Sequence, residues 1–158
     1  MFFIRTVLVV LATLIGSALF ATANAQVAAN GVVRVPSAYG VDETVTRLKA
    51  DVAAKGIMFF SEIDQSALAA KAGVTLRRST LLIFGNPPLG TQFITANPDA
   101  GLDWPVRLLV TQDADGSVWA AYTDFDWIAR RHGITNRTEQ FKTAAGVIGS
   151  ITDSVRRR

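Results

Sequence analysis

Residues 106–123 read VRLLVTQDADGSVWAAYT and carry the clearest structural signal in the chain. In the first half, Val106, Leu108 and Val110 are predicted to face a core, and they alternate with the side chains between them. In the second half, Val118, Ala120 and Tyr122 alternate in the same way. This period of two is typical of a β-strand with one buried face. Residues 113–116 lie between the halves and end in Gly116, which accepts the positive φ that hairpin turns need. The sequence therefore predicts an antiparallel hairpin of strands 106–112 and 117–123.

A third strand is predicted just upstream, over residues 80–84, which read TLLIF. An uninterrupted apolar run of this length indicates a strand that is buried on both faces. Gly85, Asn86 and Pro87 end it abruptly, so the strand brings a Gly-Asn-Pro turn to one edge of the sheet. Two further β-rich runs, residues 32–35 and 57–64, are predicted to complete the sheet.

Two amphipathic helices are predicted on either side of these strands. Residues 41–55 carry apolar side chains at helical spacing, and a second stripe follows the capping box of Asn136 and Glu139. Shorter helices are expected over residues 66–72, 91–97 and 124–131. The order is β-α-β(4)-α, and it predicts an α+β fold: a curved, largely antiparallel sheet with the two main helices packed on one face.

Residues 1–25 have the three parts of a secretory signal: Arg5, an apolar stretch over residues 7–20, and small residues at Ala23 and Ala25. The alternative is an uncleaved anchor, but the apolar stretch is shorter than the roughly 20 residues that span a bilayer. We therefore expect cleavage after Ala25, a flexible leader over residues 26–31, and a single domain over residues 32–156. The expected location is periplasmic or secreted, with no membrane contact after cleavage.

Composition excludes several classes of function. The chain has no cysteine, which rules out disulfides, thiolate chemistry and a lipid anchor on cysteine. The formal net charge of +3 falls to +2 without Arg5, which is the charged residue of the signal. Because so small an excess is not typical of nucleic-acid binding, no such partner is predicted.

The chain carries an ordered series of short motifs: Phe84-Gly85-Asn86-Pro87, Leu102-Asp103-Trp104-Pro105, Gly116, Tyr122 with Asp124, and Arg131-His132-Gly133. Together they resemble a known bacterial family, domain of unknown function 302. The resemblance runs from about residue 32 to the end of the last helix. It implies an α+β fold like that of the TATA-binding protein, and it implies no activity.

The candidate catalytic residues are Glu62 and His132. His132 is the only histidine in the chain, and Glu62 lies near a predicted strand end where loops could bring the two together. An imidazole beside a carboxylate suits acid-base catalysis. His132 also lies at the end of a short predicted helix, where it would serve instead as a structural cap.

The predicted ligand-binding residues are Gly85, Asn86, Glu62, His132 and Tyr122. Asn86 either offers its amide to a ligand or only bonds its own turn, and both alternatives stay open. No cofactor or metal is predicted, because one histidine without cysteine lacks the usual zinc ligands and no nucleotide motif occurs. The main hypothesis is an exported module that binds a small molecule or a partner protein. The alternatives are an enzyme that uses Glu62 and His132, and a homodimer.

Overall fold

The computed structural model describes residues 26–157. The predicted signal segment, residues 1–25, lies outside the described residues, so its cleavage stays a prediction. Within residues 26–157 the strands form one open, six-stranded sheet in the order β1-β2-β6-β5-β4-β3, and all neighbours are antiparallel. The strands are β1 (Gln26–Val27), β2 (Val32–Pro36), β3 (Met58–Asp64), β4 (Ser79–Gly85), β5 (Val106–Gln112) and β6 (Val118–Thr123).

The helices complete an α+β fold, which confirms the predicted class. The two long helices lie on the same face of the sheet, and their buried stripes form one core cluster with it. Leu48, Leu82, Leu108, Ile148 and Ile151 are fully buried there, and each contributes roughly 1.5–3 kcal/mol by leaving water. The helices are α1 (Val41–Ala54), α2 (Gln65–Lys71), α3 (Pro87–Ala96), α4 (Phe125–Arg131) and α5 (Thr138–Asp153), and a 3-10 turn spans Pro98–Leu102.

The sheet has one covered and one open face. Leu82 of β4 lies opposite Leu108 of β5, so both point toward α1 and α5. Leu81 and Ile83 point the other way and are only half-buried. The prediction that this strand is buried on both faces is therefore wrong for its outer face, because the two long helices pack on the same side.

Three local predictions need correction. Residues 26–31, expected to be a flexible leader, contain β1, which pairs with β2. Helix α3 begins at Pro87 rather than Thr91, because proline is tolerated in a first helical turn and Asn86 caps it. Helix α5 begins at Thr138 without a side-chain cap, so the capping box of Asn136 and Glu139 does not form.

Candidate functional site

His132 is bonded to a carboxylate that the sequence did not single out as its partner. His132 Nε2 donates to Asp103 Oδ2 over 2.7 Å, and the two side chains are only 5% and 4% exposed. Arg131 and Arg107 donate to the same carboxylate, at 3.0 and 3.1 Å. We call these four residues the Asp103 cluster. Three cationic or polar donors therefore surround one buried acid, which satisfies most of its acceptor capacity.

Backbone contacts hold the Asp103 cluster in place. Asp103 closes the 3-10 turn by donating its backbone N–H to the carbonyl of Ala100, over 3.0 Å. His132 ends α4, and its carbonyl accepts from Asn97 Nδ2 at 2.9 Å. The space beside Asp103 is only about 10 Å³, no more than the roughly 10–15 Å³ that a single water molecule needs. The cluster therefore joins the 3-10 turn to α4 and offers no room for a substrate.

The structure does not pair Glu62 with His132. Glu62 lies on the edge strand β3, where its carboxylate accepts from Lys49 Nζ of α1 at 2.6 Å. This is a partly exposed surface pair, whereas His132 is bonded to the buried Asp103. Each member of the predicted acid-base pair thus has a different partner.

Tyr122, a predicted ligand residue, lies on β6 and is half-buried against the core cluster. Burial raises the pKa of its phenol, and the nearby Asp124 carboxylate adds to the increase. A phenol in this setting stays protonated throughout the physiological range. Tyr122 does not line either of the two cavities described below.

Asn86 has a structural role and also borders open space. Its Oδ1 accepts from the backbone N–H of Leu89 at 3.3 Å, which caps the first turn of α3. The carbonyl of Asn86 accepts from Gly90 N at 2.8 Å. The side chain is nevertheless exposed and, with Gly85, lines a cavity. The two alternatives left open for Asn86 are therefore compatible with each other.

The packing of the Trp104 ring explains why residues 85 and 90 are both glycine. A Cβ atom added at Gly90 would lie 1.9 Å from Trp104 Nε1, and one added at Gly85 would lie 3.1 Å from the same atom. The first distance is a collision, so the indole needs a residue without a side chain in the interior of α3. The motif of residues 84–87 and that of residues 102–105 therefore form one packing unit.

An apolar cavity and a larger groove adjoin each other beside this unit. The cavity has a volume of about 40 Å³, and its walls include Phe84, Phe93 and Trp104. The groove, of about 830 Å³, runs between α3 and α5, and we call it the α3–α5 groove. Four residues line both spaces: Ile57, Asn86, Leu89 and Val147.

The lining of the α3–α5 groove is polar on its flanks and apolar toward the cavity. Helix α5 contributes small or polar residues, including Gly146, and its small side chains leave the groove wide. The polar groups are Lys55, Asn86, Gln92, Gln140, Thr143 and Ser150. Along residues 26–157, no group of three or more His, Asp or Glu side chains is arranged to hold a metal ion.

Sequence comparison places the chain in a family. The profile described as "Domain of unknown function DUF302" matches residues 33–151. The chain belongs to the DUF302 family. The predicted resemblance is thereby confirmed, and the match covers all the residues of the Asp103 cluster and all the lining residues of the α3–α5 groove.

Curated relatives of this DUF302 chain are longer proteins. A "Fluoride-specific ion channel FluC 1" from Brucella suis biovar 1 (strain 1330) is 37% identical over 110 residues, which are 70% of this chain and 43% of the relative. The protein of the same name from Brucella abortus biovar 1 (strain 9-941) is also 37% identical, with 41% of its length matched. The chain thus spans less than half the length of these relatives. In the described part of the chain, no helix combines the length and apolar character needed to cross a bilayer.

A solved structure shares the fold. The crystal structure of an uncharacterized conserved DUF302 protein from Bacillus stearothermophilus superposes with a TM-score of 0.72. The match covers 80% of this chain and 98% of the other, at 16% sequence identity. At that identity the likeness concerns the fold alone.

Proposed function

We propose that this DUF302 chain is a binding module for a small molecule, and that the α3–α5 groove is its site. The single observation that carries the proposal is the groove itself, which has a volume of about 830 Å³ and adjoins an apolar cavity. Ligand sites are typically clefts of about 300–1,000 Å³ in which a few polar groups border apolar walls. Of the predicted ligand residues, Asn86 lines both the groove and the cavity, and Gly85 lines the cavity.

The Asp103 cluster supports binding over catalysis. A general base must reach its substrate directly or through one water molecule. His132 is buried, its Nε2 is bonded to Asp103, and it does not line the space of about 10 Å³ beside that carboxylate. The predicted enzyme alternative therefore lacks a reachable base at His132. The channel activity named for the Brucella proteins is not proposed for this chain, because less than half of their length is matched.

We also propose that the module works outside the inner membrane, in the periplasm or beyond. The support is the signal pattern of residues 1–25, with Arg5, an apolar stretch and small residues at Ala23 and Ala25. A homodimer, the other predicted partner, stays a prediction. The surface it would use is the β3 edge, where Met58 and Phe60 are 53% and 43% exposed.

Native mass spectrometry on protein purified from the periplasm tests both proposals. The expected mass lacks residues 1–25 and includes a retained small molecule. Gly146→Trp should abolish retention, because Gly146 lines the groove and a Cβ added there meets open space, so the ring fills the groove. Ala145→Trp, on an exposed position of the same helix, is the matched control and should retain the molecule.

Two results would contradict the binding proposal. One is a wild-type protein that carries no molecule and gains no thermal stability with any member of a small-molecule library. The other is a retained molecule that survives Gly146→Trp. A mass that still includes residues 1–25 would overturn the export proposal alone.

A further inference from the structure

We infer that the ligand of the α3–α5 groove is a small carboxylate with an unbranched apolar tail. Lys55 would bind its carboxylate, and its tail would end at the apolar cavity. This inference rests on the proposed function, because it names the chemical class of the molecule that the groove would hold.

The polar end follows from the charges that line the groove. Within the described part of the chain, Lys55 is the only charged residue among those lining it, and the other polar groups are neutral amides and hydroxyls. A cationic lining group favours an anion in the groove over a second cation, although the ion pair of Lys55 with Asp51 offsets part of its charge.

Lys55 keeps donors available although it already has a partner. Its ammonium donates to Asp51, one turn earlier on α1, and its side chain is 30% exposed. An ammonium group has three N–H donors, and this contact uses one of them. The remaining donors can bind a carboxylate in the groove. Asp51 is not a lining residue, but its carboxylate is bonded to the Lys55 ammonium, so a ligand carboxylate would share that ammonium with Asp51.

The apolar end follows from the size and lining of the cavity. Its volume of about 40 Å³ is only a few times the roughly 10–15 Å³ that one water molecule needs, and its walls are almost entirely apolar. Such a space holds water poorly and is too small for an aromatic ring, but it accepts the end of an alkyl chain. Ile57, Leu89 and Val147 line both the cavity and the groove, so they form an apolar path between the two.

Isothermal titration calorimetry with a matched series of probes tests the inference. The probes are octanoate, hexanoate, acetate, octan-1-ol and octylammonium, each titrated into the purified protein. We expect octanoate to bind most tightly. Each methylene removed should weaken binding about fourfold, which is the value of one buried methylene group expressed as a ratio of affinities. Octylammonium should bind at least about tenfold more weakly than octanoate, because it places a second cation beside Lys55.

Variants separate the two ends of the ligand. Lys55→Met should weaken octanoate about tenfold or more and leave octan-1-ol unchanged, because only the first probe carries a charge. Lys49→Met is the matched control: Lys49 lies on α1, which ends just before Lys55, but it pairs with Glu62 outside the groove, so octanoate affinity should not change. Gly146→Trp should abolish binding of both octanoate and octan-1-ol.

The outcomes distinguish this inference from the proposed function. Equal affinity for octanoate and octylammonium, or no effect of Lys55→Met, would contradict the proposal that the ligand is a carboxylate. If Gly146→Trp still abolished binding in that case, the proposal that the groove is the binding site would be retained. Failure of every probe, with a retained molecule seen in the native mass spectrum, overturns the ligand class alone. Octanoate binding that survives Gly146→Trp would contradict both the ligand class and the groove as the binding site.

Discussion

The Asp103 cluster and the α3–α5 groove divide between them two properties that a site needs. The cluster concentrates charged side chains around one buried carboxylate, but it has almost no free volume. The groove has ample volume and a single charged lining residue, Lys55. The comparison teaches that residue types such as histidine and aspartate indicate where strong hydrogen bonds and ion pairs form. A binding site also needs free volume, and that depends on where packed helices leave a gap. In this fold the two occur in different places.

The largest expected effect is the loss of the buried carboxylate. Asp103→Ala should lower the free energy of unfolding by about 3 kcal/mol, because it leaves the buried His132 without its partner and breaks two arginine contacts. Urea denaturation measures the change. Asp99→Ala, at an exposed position of the same 3-10 turn, should change the value by less than about 0.5 kcal/mol.

This first prediction also sharpens the comparison. Under conditions where the Asp103→Ala protein remains folded, its octanoate affinity should equal that of the wild type, since Asp103 does not line the groove. A stability loss below about 1 kcal/mol would contradict the structural role of the cluster. A folded variant that no longer binds would show that the two regions act together.

Alanine substitutions at two helical glycines should have the next largest effects on the free energy of unfolding, and the two effects should have opposite signs. Gly90→Ala should cost about 1–3 kcal/mol, because its Cβ would overlap the Trp104 indole. Gly146→Ala should instead stabilise the protein by about 0.5–1 kcal/mol, since open space surrounds that position and alanine favours a helix. Thermal and urea unfolding of both variants measure the difference. Equal effects of the two substitutions would be incompatible with the packing of Trp104 on α3.

The smallest expected effect concerns the surface acid that was predicted to be catalytic. Glu62→Gln should change the free energy of unfolding by less than about 1 kcal/mol, because the pair with Lys49 is partly exposed and screened by solvent. Octanoate affinity should stay at the wild-type value. Glu43→Gln, which removes another exposed pair on α1, is the matched control in the same urea titration. A clear loss of binding in Glu62→Gln alone would restore Glu62 as a functional residue.

Much of the fold could be predicted because its signals are local. The hairpin of β5 and β6 and the stripes of α1 and α5 follow from periodicities within single segments. The burial of β4 on one face only could not be predicted in this way. It depends on α1 and α5 packing on the same side of the sheet, and this is decided by the tertiary arrangement.

The candidate site was predicted only in part. Gly85 and Asn86 border the cavity. They were predicted as ligand residues because they form the turn that follows a buried strand and lies at one edge of the sheet. Asp103 was missed as the partner of His132 because 29 residues separate them and an aspartate after a turn is common. The signal that could have found it is the paired occurrence of two motifs, one holding Asp103 and the other His132. Similarly, Gly90 within a helix was a sign of close packing, because glycine there is costly.

The short strand β1 has a consequence for the order of events during maturation. Gly31, with a φ of 80°, lies so close to the Trp127 ring that an added Cβ would come within 2.4 Å of it. The segment between β1 and β2 is therefore fixed against α4, and Gln26 already belongs to the sheet. A peptidase acts most readily on chain that is not yet ordered. If the proposed cleavage follows Ala25, processing should come before the first strand docks, and the newly formed amino terminus would then close the edge of the sheet.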